Sequence, residues 1–219
     1  MKTSRICAVL AFAWLSAISN PASADDFWLG AKVGTLGIGM EAAWRPIPWM
    51  DLRAGGNLYD YEESGSQSGI NYDATLQLST YYLTANFLFP ASPFRISVGG
   101  FSNSNEVQMI SAENSTFNIG GTSYSAADVG TLNSITSFDS TSPYLGAGFD
   151  FSLFGKVGLS LDFGVLWQGD PKVSLTANGL LADDPTFIAA LEEERLELED
   201  DMDALKAYPV ISLGFNFNF

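Results

Sequence analysis

The last twelve residues, Tyr208 to Phe219, restrict the fold more than any other stretch. Large apolar side chains fall at Ile211, Leu213, Phe215, Phe217 and Phe219, and Ser212, Gly214, Asn216 and Asn218 stand between them. Successive side chains of a strand point to opposite faces, so this strand is greasy on one side and small or polar on the other. It stops on an aromatic, with no polar tail after Phe219 to shield Phe217 or Phe219 from water. Such a strand needs an apolar surround on one face.

The N-terminal stretch says where that surround is. Lys2 and Arg5 precede an apolar run from Ile6 to Ile18, and Ala22-Ser23-Ala24 follows. A basic flank, a core too short to span a bilayer and a small-residue exit, in that order, predict an export signal over 1–24, cleaved after Ala24. Residues 25–219 then make one domain. Cys7 is the sole cysteine and lies in the signal, which excludes disulfides, zinc ribbons and thiol catalysis from the mature chain. Losing the signal removes two bases and no acid, taking the formal charge from −15 to −17. That balance argues against nucleic acid as a partner. No later stretch reaches the ~20 apolar residues of a membrane helix, yet aromatics make up 13% of the chain. An exported chain of this kind has one membrane solution, a closed barrel in which every backbone group is paired.

The alternation recurs from the start. Trp28, Gly30 and Lys32 share one face of the first strand. From Leu36 the apolar set is Leu36, Ile38, Met40, Ala42 and Trp44, opposite Glu41 and Arg45. The apolar phase moves from odd to even numbers across Gly34-Thr35, which marks a bulge or a tight hairpin. Met50, Leu52, Ala54 and Leu58 oppose Asp51, Arg53 and Asn57, and an acidic Gly/Ser-rich loop is expected from Tyr59. A long strand from Asn71 to Phe89 sets Tyr72, Ala74, Leu76 and Leu78 opposite Asp73, Thr75 and Gln77. Phe94, Ile96 and Val98 oppose Arg95 and Ser97. Residues 102–141, rich in Ser, Asn and Thr, read as a long exposed loop. Leu145 to Phe151 alternates against Tyr144, Gly146, Gly148 and Asp150. The run from Val157 to Trp167 is the cleanest, and its apolar phase resumes past a break at Gly169-Asp170-Pro171 in Val173, Leu175 and Ala177.

Short and long connections alternate along the chain, as in outer-membrane barrels with short periplasmic turns and long outer loops. Leaving residues 27–45 as one strand gives an odd count of strands. Splitting them at Gly34-Thr35 gives an even one, so a stubby first hairpin and an eight-stranded all-β antiparallel transmembrane barrel are expected.

Trp28-Leu29-Gly30-Ala31-Lys32-Val33-Gly34, the repeated strand–short turn–strand units and the terminal Phe219 resemble the small outer-membrane barrels of the OmpA and OmpW type. The resemblance covers most of the mature chain. It implies an integral outer-membrane protein of a Gram-negative bacterium, monomeric, surrounded by lipid and lipopolysaccharide. It also implies insertion by the barrel assembly machinery, with Leu213, Phe215, Phe217 and Phe219 as the assembly signal. For activity the resemblance implies little; the role expected from the residues themselves is non-enzymatic, a structural or surface one or narrow small-solute passage, and the alternative is a gated porin-like channel for small solutes, cationic ones included.

An acidic insertion over about 183–206 departs from the simplest members. Asp184 as N-cap and Pro185 in the first turn open a helix over 185–206. Leu191, Leu198, Met202 and Leu205 lie on one stripe, joined by Phe187 and Ile188, which should dock on the rim or across the barrel mouth. Ten acids and one base, Arg195, lie between Asp183 and Asp203. Glu192, Glu193, Glu194, Glu197, Glu199, Asp200, Asp201 and Asp203 are either a solvated negative face or a patch that loosely holds Ca²⁺ or Mg²⁺. The spacing matches no EF-hand loop.

No histidine exists in the chain. Outer-membrane barrels that act as enzymes use one as base, so no catalytic residue and no cofactor are expected. The alternation points Lys32, Arg45, Arg53 and Arg95 into the lumen with Glu41, Asp51, Asp73, Asp150 and Asp162. An eight-stranded barrel is barely wide enough for its own side chains, and ions confined there must pair. The result is a salt-bridged closed core, or a narrow channel whose bridges exchange partners on opening.

Overall fold

The computed structural model describes residues 27–67, 70–111, 116–154 and 156–219. The expected signal, with its cleavage after Ala24, lies outside them. Strands β1 (Phe27–Gly34), β2 (Gly37–Ile47), β3 (Met50–Gln67), β4 (Ile70–Leu88) and β5 (Phe94–Asn103) follow one another as antiparallel neighbours. An excursion then holds β6 (Glu106–Ser111), β7 (Phe117–Ile119), β8 (Thr122–Tyr124), α1 (Ala126–Val129) and β9 (Leu132–Ser137). β10 (Thr141–Phe154) pairs with β5, and β11 (Val157–Trp167) with β10. A second excursion holds β12 (Lys172–Ala177), α2 (Pro185–Asp201) and a 3₁₀ turn over Asp203–Lys206. β13 (Ala207–Asn218) pairs with β11 on one side and β1 on the other. That closes an antiparallel barrel of eight strands, β1–β5, β10, β11 and β13.

The first hairpin is as tight as the phase slip requires. Gly34 pairs with Gly37, leaving Thr35-Leu36 as a two-residue loop. Gly37 sits at φ +96, and a Cβ there would lie 2.5 Å from that of Tyr59. Thr35 fastens the loop to β13: its hydroxyl donates to the Pro209 carbonyl (2.9 Å) and accepts from the Ile211 amide (3.1 Å).

Above this low hairpin the wall continues on one side only. The register of β6 on β4 (Gln77↔Glu106) carries on that of β5 on β4 (Thr80↔Asn103) across Ser104-Asn105. In the same way β9 on β6 (Ser137↔Glu106) carries on β10 on β5 (Thr141↔Ser102). β12 resumes β11 beyond Gly169 (φ +76) with its register shifted by one. So β3, β4, β6, β9 and β12 form a sheet rising above the rim. The long exposed loop expected over 102–141 is therefore incorrect. Its few apolar residues suffice because they converge with distant ones: Phe117, Ile119 and Val129 pack on Phe187 and Leu191 of α2. The loop expected from Tyr59 is also corrected, since β3 stays paired to β4 as far as Gln67.

α2 begins as its sequence dictates. The Asp184 carboxylate accepts from the Thr186 (2.8 Å) and Phe187 (3.1 Å) amides, and Pro185 follows. The helix packs on β12 of the raised sheet and on β7 of the separate β7–β8 hairpin. Phe187 and Leu191 are buried as expected, but Ile188 and Leu205 are exposed. The buried face turns toward Ala190, Glu194 and Arg195 instead, because the sheet lies on that side.

Candidate functional site

Barrel strands present alternate residues to the interior, and the interior ones fall in two tiers. The tier nearer the short turns is ionic. Asp51, Arg53 and Arg95 are almost wholly buried, at 0%, 2% and 1% exposure. Arg53 Nε donates to Asp51 (2.9 Å) and its Nη2 to Asp150 (2.7 Å). Arg95 Nε donates to the same Asp150 oxygen (3.0 Å), its Nη2 to Asp162, and its Nη1 to Ser97 (2.8 Å) and Asn86 (3.3 Å). Asn86 donates onward to Asp51 (2.7 Å), and Ser212 to Asp162 (3.1 Å). Glu41 takes the Tyr82 hydroxyl (2.7 Å) and lies 3.6 Å from Lys32 and 3.8 Å from Arg53. Arg45, at the rim, reaches Asp51 at 3.8 Å. Two aromatic faces complete the tier: Lys32 stands 4.0 Å above the Tyr82 ring and Arg53 4.6 Å above that of Trp28.

The tier nearer the long connections is apolar. Leu36, Tyr82, Phe101, Tyr144, Leu166 and Val210 form one buried cluster across the barrel, with Phe101 stacked on Tyr82 (4.9 Å) and tilted against Tyr144 (5.2 Å). Glycines make room for these large side chains. A Cβ at Gly146 or Gly164 would meet Tyr144 at 2.2 or 2.5 Å, one at Gly55 the Tyr82 hydroxyl at 2.5 Å, and one at Gly148 the Arg95 guanidinium at 2.7 Å.

Little space is left. A cavity of about 30 Å³ lies between the tiers, bounded by Lys32, Glu41, Arg53, Tyr82, Arg95 and Asp162. That is room for about two waters. A vestibule of about 210 Å³ opens at the short-turn end, walled by Trp28, Arg45, Arg53, Asp150, Asn216 and Asn218. Arg53 borders both, held there by its bonds to Asp51 and Asp150.

Of the nine expected lumen residues, Lys32, Glu41, Arg45, Asp51, Arg53, Arg95, Asp150 and Asp162 are brought together. Asp73 is not. It is exposed above the rim and accepts from the Ser64 hydroxyl at 2.6 Å. The physical reason is that β4 keeps its faces but not their chemistry. Odd residues stay on the exposed side throughout, apolar beside the barrel (Tyr81, Leu83, Phe87) and polar above the rim (Asp73, Gln77), while the even, sheltered side passes from Thr80, Thr84 and Asn86 to the apolar Leu76 and Leu78. Without Asp73 the lumen holds four bases and four acids, formally neutral. Asn86, Ser97, Tyr82 and Ser212 escape a search for charges, yet each falls on the inward parity of its strand.

The acidic patch is partly spoken for. Arg195 donates to both oxygens of Glu192 (2.6 and 2.8 Å) and to Glu199 (2.5 Å). Glu194 accepts from the Gly120 amide (3.2 Å), and Lys206 reaches Asp203 at 2.8 Å. Glu193, Glu197, Asp200 and Asp201 are exposed. Among the described residues, no three acids converge closely enough to hold a metal ion. Leu213, Phe215, Phe217 and Phe219 all project from the outside of the barrel, and Phe219 meets Phe27 with ring centroids 6.0 Å apart.

A closed eight-strand antiparallel barrel with a neutral, ion-paired interior and one helix before its last strand is thus the class of protein defined. Two solved structures share the fold. CarO2 of Acinetobacter baumannii is 24% identical with a TM-score of 0.61, over 89% of this chain and 98% of that one. CarO of Acinetobacter baumannii is 23% identical with a TM-score of 0.59, over 88% and 97%. At those identities the likeness is one of fold. No family model matches the sequence, and no curated protein matches it.

Proposed function

We propose that the chain is an integral outer-membrane barrel of a Gram-negative bacterium, non-enzymatic and monomeric, which closes its lumen and displays a folded cap at the cell surface. The observation that carries this reading is an inside-out distribution of polarity. Ile38, Met40, Trp44, Leu83, Leu145, Phe163, Ile211 and Phe215 are exposed around the barrel, while Arg95, Asp51 and Arg53 are buried within it. Only an apolar surround makes that arrangement stable. The short turns and both ends of the barrel domain then face the periplasm, and the raised sheet with α2 faces outward among lipopolysaccharide. Export by a signal over 1–24, insertion by the barrel assembly machinery and an OmpA- or OmpW-type ancestry belong to the same proposal. No cofactor is needed, and Mg²⁺ or Ca²⁺ at α2 acts by screening.

One observation favours a second reading, a gated passage for small solutes. The two cavities share Arg53, whose guanidinium–carboxylate bonds to Asp51 and Asp150 can exchange partners. Planar-bilayer recording separates the two. Protein that migrates on gels in its heat-modifiable folded form yet leaves the bilayer silent supports the closed structural barrel; stable small conductance steps overturn it in favour of the gated passage.

A further inference from the structure

The raised sheet has two edges, and they are finished differently. At β12 the edge is covered: α2 packs along it, and Glu199 Oε1 accepts from the Val173 amide at 3.1 Å. At β3 it is open. Leu58, opposite Ile38, is the last β3 residue with a partner on β2, and Tyr59–Gln67 pair with β4 alone among the described residues. At the rise of an antiparallel strand those residues leave an edge about 30 Å long. It stands directly above the low β1–β2 hairpin, where nothing in the barrel wall covers it.

The side chains along this edge carry one kind of chemistry. On one face Tyr59 and Tyr61 stack with centroids 6.3 Å apart and planes 9° from parallel, both about half exposed, and the Tyr61 hydroxyl donates to Glu63 at 3.1 Å. On the other face lie Asp60 and Glu62, with Asp73 beside them on β4. No Lys or Arg occurs between Arg53 and Arg95. Charges alone would serve to blunt an edge against pairing. A half-exposed tyrosine stack does the reverse, since it leaves apolar surface and two ring faces open to a cation.

From this we infer that the upper β3 edge is a docking site for a basic, extended segment of another protein, taken up as an added strand. The backbone of Tyr59–Gln67 supplies the ladder. Alternate lysines or arginines of the incoming strand meet Asp60, Glu62 and Asp73, and the residues between them lie over Tyr59 and Tyr61. A second copy of this chain does not fit, because pairing two such edges sets carboxylates against carboxylates. The inference is independent of whether the lumen conducts.

The test uses the whole protein in detergent micelles and a capped nine-residue peptide of alternating Lys and Val. Its controls are the same peptide N-methylated at alternate residues, which keeps the charge but cannot form a ladder, and a Glu–Val counterpart. The Lys–Val peptide is expected to bind at least about tenfold more tightly than either control. The double variant Asp60→Lys/Glu62→Lys, its fold checked by heat-modifiable migration, should lose that preference and gain affinity for the Glu–Val peptide. Equal binding of the N-methylated peptide would reduce the site to plain charge attraction and overturn strand addition. Absence of Lys–Val binding would overturn the docking site altogether.

Discussion

Replacing Arg95 with Leu should be the most damaging single change in the lumen. Arg95 donates to Asp150, Asp162, Asn86 and Ser97 and is 1% exposed. Without it Asp150 keeps Arg53 at 2.7 Å, but Asp162 keeps only the Ser212 hydroxyl at 3.1 Å. An acid left buried without its cation costs about 3–5 kcal/mol. Urea unfolding of the folded barrel in micelles, followed by heat-modifiable migration and tryptophan emission, measures the loss. Asp162→Asn in the Arg95→Leu background removes the stranded charge and should restore about 1–3 kcal/mol, whereas Asp162→Asn alone should destabilise. If Arg95→Leu costs under about 1 kcal/mol, or if the two changes simply add, the lumen is hydrated well enough to solvate a lone carboxylate, and the closed interior is wrong.

Gly164→Val should destabilise the barrel by about 1–3 kcal/mol by driving a side chain into the Tyr144 ring, and Tyr144→Ala in the same chain should relieve it; urea midpoints decide. Deleting Phe219, which leaves the Phe27 ring unpaired at the closing seam, should lower the folded fraction recovered in outer membranes or lipid vesicles without changing expression. Replacing Glu192, Glu193, Glu194, Glu197 and Glu199 with Gln should weaken thermal stabilisation by millimolar Mg²⁺ while leaving the barrel folded; an unchanged response in calorimetry makes that face a solvated surface. The hydrogen bond from Arg195 holds the Glu192 carboxyl below its usual range. The folded value is the lower one, so this pair stabilises α2 above the ordinary carboxylate range and the effect fades as pH falls through the lowered value. Arg195→Gln should flatten that acid-side dependence in hydrogen exchange of the α2 amides between about pH 3 and 6.

The barrel and its ionic interior are legible in the sequence because one rule governs both. An apolar outside, as the proposed membrane setting requires, and a crowded lumen force every barrel strand to alternate, so parity alone assigns Lys32, Glu41, Arg53 and Asp162 inward. The rule lapses above the rim, where the barrel wall ends. Asp73 is misplaced for that reason, and so is the loop assigned from Tyr59. The cap is hidden for another reason. Phe117 and Ile119 find Phe187 and Leu191 across a long stretch of chain, and no local period announces such a meeting. On α2 the sequence marks the start, through Asp184 and Pro185, but the face it buries depends on where β12 stands, which is why Ile188 ends up exposed; Leu205 leaves the stripe because the helix stops at Asp201 and gives way to the 3₁₀ turn.

The lumen charges also bear on why the barrel closes in one register. A strand that slips by one residue turns its whole inward set outward. In an apolar barrel interior such a slip would exchange grease for grease and lose little. Here a slip of β5 would carry Arg95 to the outside, and a slip of β11 would carry Asp162 there. A cation on the lipid face near the midplane costs about 2–4 kcal/mol, and an acid somewhat less. Its former partners would meanwhile be left buried and alone, at about 3–5 kcal/mol. The glycine gaps add a steric condition, since Tyr144 fits only beside Gly146 and Gly164, and the Arg95 guanidinium only against Gly148. Ion pairs inside a closed barrel contribute little net stability over a well-packed apolar core. What they supply is a penalty on every neighbouring register. That gives the eight charges a role even if the lumen never opens.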